Sequence, residues 1–540
     1  MNLRKYSIIV IVIMAGLFRF MRIESIPPSL YWDEVSQAYN SYSILKTGYD
    51  EHKELMPIAR FKAFGDYKAP VYIYLDVPFI ALLGKTNLAV RFPSALFGTL
   101  TVLVCYFLVK ELFFKNKNKN QISLAAAFFL AISPWHIQLS RVAYEGNLAT
   151  FFTILGITLF LLSLRKQKWI LIFSIISFII GFYAFNAHRV FIPLFIFLIF
   201  SIYFRQIAFN RRLFLALITL SIILLLPIIL YLRSPESKLR FNEVNIFTNI
   251  DTIKRSNVLM EQDKNSSFSR IIHNRRIQFM REYLINYFDF FEPTYLFIKG
   301  DINPRFSHRA NGQLYLWMIP ILTVGVYSLL AHANKSTLLI LGWFVLAPIA
   351  AATARETPHA LRSSTFIPTY EIIAAVGFSV IYTTLQRYST KIRFIIFFIC
   401  GLIVSFSVFN FFHNYFTHNP KQFSNDWQYG YKQVIEKVEL LKSKYDVIYF
   451  TTTYGRPYIY AAWYGNYTPN DFWKEVRVLK DTQGFYNVTS IGKYIFSEPL
   501  SNSNKKVLVV TTPDKLPSWG KILDKVDFLD GKTAFIIYEE

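Results

Sequence analysis

Apolar residues occur in long unbroken runs, and polar residues collect in the gaps between them. The runs cover residues 6–20, 93–114, 121–135, 146–164, 169–186, 190–204, 213–232, 312–331, 337–353, 365–384 and 393–412, eleven in all. Soluble cores also hold apolar runs, but of about 10–14 residues, whereas about 20 are needed to cross roughly 30 Å of hydrocarbon as helix. The pattern predicts a mainly α, polytopic membrane protein with about 11 transmembrane helices. The first run follows a basic start, as a signal peptide would, but no small-residue cleavage site follows it, so it is read as an uncleaved span.

One further run, residues 70–84, is short and carries Asp76 and Pro78. As helix it would reach only about 22 Å. The distribution of basic residues decides how to treat it, because Lys and Arg of short loops gather on the cytoplasmic side. If 70–84 does not cross, the segments sharing a side with Arg4 and Lys5 are 110–119, 165–168, 205–212, Lys335 and 387–393. Together these six segments hold 16 basic residues against the single acid Glu111. If it did cross, the later basic loops would stand opposite the N-terminus. The run is therefore expected to be re-entrant or interfacial, with the N-terminus cytoplasmic.

This topology leaves three sizeable external regions: a first loop at 21–92, a second at 233–311 and a tail at 413–540. The expected organisation is a transmembrane domain over 1–412 and a small extracytoplasmic α/β domain over 413–540. Within the tail an amphipathic helix is expected around Trp427–Leu441, with strands at Val447–Thr451, Val507–Thr511 and Ala534–Tyr538.

Composition agrees with the membrane reading, at 53% hydrophobic, 18% aromatic and only 17% charged residues. The formal net charge of +23 does not point to nucleic acid, since the basic residues lie in short loops rather than in one patch. Cys105 and Cys400 both fall in apolar runs and support neither a disulfide framework nor a thiolate metal site.

Candidate chemistry gathers in the regions expected outside. The first loop contains Trp32-Asp33-Glu34, followed by Val35, Ala38, Tyr42 and Leu45 at helical spacing, which predicts an amphipathic helix on the membrane with two acids at its start. Neighbouring helical positions diverge by about 100°, so the two acids would not act on one atom, and Asp33 is equally readable as a favourable charge at the helix start. Further along stand Asp66 and Lys68, then Arg91. The lysine and arginine are suited to a phosphate at headgroup level, or simply snorkel towards water. A short turn carries Ser140, Arg141, Glu145 and Asn147, and a later one Arg355, Glu356, His359 and Arg362. His359 and Arg362, three apart, would share a face of an early-starting helix, and arginine suits phosphate through its planar fork. Lys299, Asp301, Asn303 and Arg305 add a polar stretch before the eighth span. No zinc pattern, Walker loop or dinucleotide fingerprint stands out. The acids could hold Mg or Mn through oxygen, a role that their spacing leaves open.

Trp32-Asp33-Glu34, Asp66-Tyr67-Lys68-Ala69-Pro70, Arg91-Phe92-Pro93-Ser94, the Ser140–Glu145 turn and the late His/Arg stretch together resemble the polyprenyl-phosphate-sugar glycosyltransferases of GT-C fold. The likeness is greatest to the protein O-mannosyltransferase and aminoarabinose transferase relatives, glycosyltransferase family 39-type, over about residues 1–385 and in element order more than in identity. It implies inverting transfer of a hexose or pentose from a polyprenyl-phosphate donor to a hydroxyl of an acceptor protein, lipid or surface glycan. Asp33 would be the base, and Glu34, Asp66 and Glu145 supporting acids at the acceptor or a metal. Lys68, Arg91, His359 and Arg362 would meet the donor phosphate. The sequence departs from the family where relatives often show Asp-Lys-Pro-Pro, and Glu145 stands where they often have Asp.

Two other readings belong to different classes. A transporter or flippase for a lipid-linked sugar would place acids near the bilayer midplane, whereas here Glu371 lies close to a span end and Asp33, Glu34, Asp66 and Glu145 lie outside the spans. A non-catalytic receptor or scaffold with the tail as its binding module leaves the charged turns unexplained.

Overall fold

The computed structural model describes residues 3–64, 66–206, 211–480, 486–499 and 505–540. Among them, seven helical segments are long and apolar enough to cross a membrane: Asn87–Leu112, Glu145–Arg165, Asn186–Tyr203, Leu215–Arg233, Lys335–Thr353, Ser364–Leu385 and Thr390–Gln422. An eighth is the bent pair Lys119–Ile132 and Pro134–Ser140, angled by 60°. Its break has a local cause: Pro134 disfavours helical backbone at the preceding residue, and Ser133 is extended at φ −60°, ψ 119°. Of the eleven predicted runs, seven, or eight with the bent pair, coincide with helices long and apolar enough to cross. Runs 6–20, 169–186 and 312–331 correspond to the shorter helices Tyr6–Phe20, Ile170–Ala184 and Met318–Ala331. The helix Pro70–Leu83 is shorter still, at 14 residues.

The chain divides into two compact units. The first comprises Met1–Arg19, Leu96–Ser140 and Glu145–Phe411 and holds most of the apolar helices. Close packing there depends on small residues. A Cβ on Gly325 or Gly377 would collide with the carbonyl oxygens of Ile373 and Ile321, so the helices Met318–Ala331 and Thr369–Leu385 approach at backbone distance.

The second unit comprises Phe20–Ala95, Arg141–Tyr144 and Phe412–Glu540, so that the first polar loop falls with the tail. Its largest sheet has seven strands among the described residues. Their order is Val476–Lys480, Tyr486–Ile491, Tyr494–Ile495, Val447–Phe450, Val507–Thr511, Thr533–Glu539 and Lys521–Asp527. Val447–Phe450 runs parallel to both of its neighbours, and the remaining pairs are antiparallel. The three strands expected from apolar runs are present, with the helix Tyr431–Leu441 packing Val434, Ile435 and Val438 inward. The other four strands and the helices Pro457–Tyr464 and Pro469–Glu475 lack so clear a period.

One expectation is overturned in this unit. The helix Trp32–Thr47 is not an amphipathic surface element: Glu34, Ser36, Gln37, Asn40 and Ser41 are buried together with Val35, Ala38 and Tyr39. It is covered on several sides, by the helices Pro70–Leu83 and Pro457–Tyr464 among others. The buried hydroxyl of Ser41 donates to the carbonyls of Gln37 at 2.8 Å and Ile73 at 2.9 Å. Asn40 likewise bonds within the protein, its amide donating to the Ser36 carbonyl at 2.9 Å and its oxygen accepting from the Glu51 amide at 3.1 Å.

Candidate active site around Asp33 and Lys68

The first turn of helix Trp32–Thr47 presents its two acids to different surroundings. Glu34 has no exposed surface. Its carboxylate accepts from Arg91 Nε at 2.9 Å and Nη2 at 3.1 Å, from the Ala143 amide at 3.1 Å and from the Tyr31 amide at 3.3 Å. Arg91 is equally buried. Its remaining donor capacity goes to carbonyls of the preceding loop: Nη1 to Ile23 at 3.1 Å and Pro27 at 2.8 Å, Nη2 to Ser29 at 2.6 Å. A guanidinium bonded in this way on all three nitrogens organises the chain and does not present donors to a lipid phosphate. Glu34 and Arg91 together hold the start of the helix.

Asp33 keeps 29% of its side-chain surface exposed. Its Oδ1 forms an ion pair with Lys68 Nζ. Lys68 is delivered by a small antiparallel hairpin of Phe61–Ala63 and Asp66–Lys68, in which Lys68 pairs with Phe61. Phe64 turns the hairpin with φ 58°, and its ring lies 5.9 Å from Lys68 Nζ. The Arg456 guanidinium stands 5.1 Å from the same ring, and Tyr458 packs edge-on to it at 5.8 Å. Two cations therefore lie against one aromatic ring, and one of them, Lys68, pairs with Asp33. The side chain of Asp66 lies outside the described residues.

Residues of the tail complete this corner. The Trp32 amide, one residue before Asp33, donates to Gln428 Oε1 at 2.9 Å. Gln428 Nε2 donates to the Tyr454 carbonyl at 2.7 Å. The Tyr460 hydroxyl lies 2.7 Å from Gln428 Oε1 and 3.2 Å from the Leu30 carbonyl. Gly455 packs so closely on Trp32 that a Cβ there would stand 2.7 Å from the indole. A free helix start leaves amides without intrahelical partners, and Gln428 supplies one of the missing acceptors. Arg141 is buried nearby in the same unit, donating to the Met21 carbonyl at 2.8 Å and the Ile26 carbonyl at 2.9 Å, over the rings of Tyr415 and Phe416. Sequence reading missed Gln428, Tyr460 and Arg456, which carry no motif and lie far along the chain.

The remaining predicted residues belong to the first unit. Glu145 opens the helix Glu145–Arg165, where a carboxylate complements the positive end of the helix. The adjoining Gly146 lies against Leu361 and Ser364. His359 stacks on Phe306 with ring centroids 4.4 Å apart. Burial, with the Arg362 and Arg305 guanidiniums beside it, pushes its imidazole well below the usual histidine range. Arg362 is half-buried and reaches the Glu356 carbonyl at 3.4 Å. Asp301 ties the two loops: its carboxylate accepts from the Ala360 amide at 2.6 Å and the Asn303 amide at 2.8 Å, and burial pushes its pKa up to about 6. The structure thus joins Asp33 to Lys68, Glu34 to Arg91, and His359 to Asp301 and Arg362.

Among the described residues, no group of three or more His, Cys, Asp or Glu side chains converges as metal ligands would. The two acids of the first turn are instead satisfied by Lys68 and Arg91.

A protein-family model described as dolichyl-phosphate-mannose-protein mannosyltransferase matches residues 67–231. No curated protein sequence matches. Among solved structures, ArnT from Cupriavidus metallidurans bound to undecaprenyl phosphate is similar with a TM-score of 0.57 at 12% identity, covering 98% of this chain and 97% of that one. The apo state of the same ArnT gives 0.56 at 10% identity, covering 99% and 98%. The archaeal oligosaccharyltransferase AglB from Archaeoglobus fulgidus, in complex with an inhibitory peptide and a dolichol-phosphate, gives 0.52 at 12% identity and 87% coverage of this chain. The chain spans 64% of the length of AglB. At these identities the likeness is one of fold: a mainly helical membrane protein of GT-C type with a small β-containing C-terminal region.

Proposed function

We propose that the protein is an inverting glycosyltransferase that moves a sugar from a polyprenyl-phosphate donor to an acceptor hydroxyl, with Asp33 as the base. The observation that carries this reading is the Asp33–Lys68 pair. It sets a partly exposed carboxylate against a cation at the start of a helix otherwise held by Glu34 and Arg91.

The chemistry divides between the two members of the pair. The acceptor hydroxyl oxygen attacks the anomeric carbon as the bond from that carbon to the phosphate oxygen breaks. The hydroxyl proton passes to Asp33, and the bonding pair leaves on the polyprenyl phosphate, where positive charge stabilises it. Lys68 meets that need by exchanging its carboxylate partner for the phosphate, which also frees Asp33 to take the proton. Arg456, over the same Phe64 ring, adds a second positive charge. Arg362 remains a candidate phosphate ligand and Glu145 a candidate acceptor residue, both in the first unit.

The fold shared with ArnT and AglB and the family match over 67–231 support this class of reaction. The lysine and arginine bias of the short loops favours a cytoplasmic N-terminus and an extracytoplasmic tail. The sugar belongs to the hexoses or pentoses, and the acceptor to protein, lipid or surface glycan hydroxyls.

The test is transfer from a radiolabelled polyprenyl-phosphate sugar in proteoliposomes. Wild-type protein is expected to consume the donor and Asp33→Asn to lose that activity. Undiminished transfer by Asp33→Asn would remove Asp33 as base. Movement of the lipid between leaflets without donor consumption would overturn the enzyme reading in favour of transport.

A further inference from the structure

The helix Arg275–Asp289, in the first unit, has two faces with opposite fates. One is fastened to the end of the span Lys335–Thr353 and the turn after it. Tyr283 donates to the Ile349 carbonyl at 3.3 Å, Tyr287 to that of Val345 at 2.8 Å, and Asn286 to those of Ala352 at 3.2 Å and Ala354 at 2.8 Å. Asp289 Oδ2 accepts from the Thr357 hydroxyl at 2.7 Å.

The other face carries Ile277, Met280, Leu284, Ile285 and Phe288, at helical spacing and bare of protein. Met280 is 60% exposed and Phe288 64%. These residues line an open groove of about 540 Å³ together with Arg281 and Asp289. The short helix before it, Ser267–Ile272, repeats the pattern with Phe268 71% and Ile271 65% exposed. Arg270, Arg275, Arg276 and Arg281 are all exposed alongside these apolar residues.

Such a patch on a water-facing surface would mark an interaction site. Here its occupant follows from where the helix is fixed. Bonds to carbonyls at the end of a membrane span hold it at the level where hydrocarbon gives way to headgroups. An apolar stripe flanked by arginines fits that boundary, with the side chains in the acyl region and the guanidiniums at the lipid phosphates. The lipid-facing residues of the spans are bare in the same way: in Thr390–Gln422 the apolar window has 0% of its residues buried within the protein.

We infer that Arg275–Asp289, with Ser267–Ile272, is an interfacial helix seated in the leaflet of the bilayer at the end of the 335–353 span. Through Asn286 and Asp289 its seating sets the backbone at Ala352–Thr357, immediately before His359 and Arg362. This inference depends on the chain spanning a membrane and not on the transferase reading.

The test places one reporter on the exposed face of the full-length protein. Cys400, exposed, is changed to serine, and buried Cys105 is kept. Phe288→Cys is labelled with an environment-sensitive fluorophore in nanodiscs holding a single chain, and Lys264→Cys, at an exposed loop, serves as the aqueous control. The Phe288 label is expected to emit as in an apolar medium and to be quenched severalfold more by phospholipids brominated high on the acyl chain than by aqueous iodide, with the Lys264 label showing the reverse. In the Met280→Glu, Leu284→Glu variant, retaining the wild-type thermal midpoint, the bromolipid quenching should fall to the control level. Water-like emission with iodide quenching at Phe288 would overturn the inference. So would apolar emission insensitive to brominated lipid, which would mean that protein covers this face.

Discussion

Arg91 Nε lies 2.9 Å from Glu34 Oε1 in an ion pair with no exposed surface, while the adjacent Asp33 keeps its carboxylate at the partly open end of the same helix turn. The two acids differ by one residue and by about 100° of helix rotation. That rotation turns one into a structural anchor and leaves the other partly exposed and paired with Lys68.

Asp33→Asn should therefore lower kcat by a factor on the order of 10²–10⁴, the usual contribution of a positioned general base. The fold should be spared, because the side chain is partly exposed and isosteric. Transfer kinetics alongside thermal unfolding in detergent would check both halves, and a large drop in thermal midpoint would show that Asp33 is structural instead.

Glu34→Gln and Arg91→Ala should behave in the opposite way. Removing one partner leaves a buried charge without compensation, a change that costs about 3–5 kcal/mol. Arg91→Lys should recover little, since an ammonium cannot span the carboxylate and the Ile23, Pro27 and Ser29 carbonyls together. Denaturation midpoints of the three variants, compared with wild type, measure this.

Lys68→Met tests the cation. If Lys68 stabilises the leaving phosphate, its removal should lower kcat by about 10²–10³, the range for losing one preorganised electrostatic contact. Lys68→Arg should retain more activity than Lys68→Met. Equal rates for the two variants would argue that the charge at this position does not act on the reaction.

Gln428→Ala removes the acceptor for the Trp32 amide and the partner of Tyr460 from 396 residues away. A buried donor left without a partner costs about 1–3 kcal/mol. A positioning role through the Trp32 amide predicts a reduced kcat with nearly unchanged donor KM. A change confined to KM would place Gln428 in substrate binding.

Asp301 provides a pH signature. Its folded pKa of about 6 stands above the ordinary carboxyl value of 3.8. Between those values the unfolded chain releases its proton while the folded chain keeps it, so this residue's contribution to stability declines as pH rises from about 4 to 6 and is level on either side. Each unit of difference is worth about 1.36 kcal/mol. The stability difference between wild type and Asp301→Asn, followed from pH 4 to 7, should move against the wild type across that window. A constant difference would show that Asp301 titrates normally.

Much of the architecture was legible because a membrane restricts what the backbone can do. Apolar runs must form helices that satisfy their own hydrogen bonds, so the runs could be read directly as membrane helices. Several helices are shorter than the runs, as at residues 312–331, where the helix begins at Met318, so fewer than eleven reach the length of a span. The tail strands at 447, 507 and 533 were legible for a related reason: buried strands show as continuous apolar segments. The helix Trp32–Thr47 was misjudged as an interfacial surface element. Its apolar spacing was real, but Asn40 and Ser41 are buried as well, with partners that local sequence does not specify.

The sequence by itself determined a helical membrane protein, a polar first loop and tail, and a short list of charged residues around Asp33. Tertiary structure alone decided which of those charges stay available. Arg91 and Glu34 are consumed by each other, and Gln428 and Tyr460 join the corner from the far end of the chain. Hydrophobic periodicity reports the solvent each residue prefers, whereas ion pairing and capping depend on contacts between positions hundreds of residues apart, which only packing brings together.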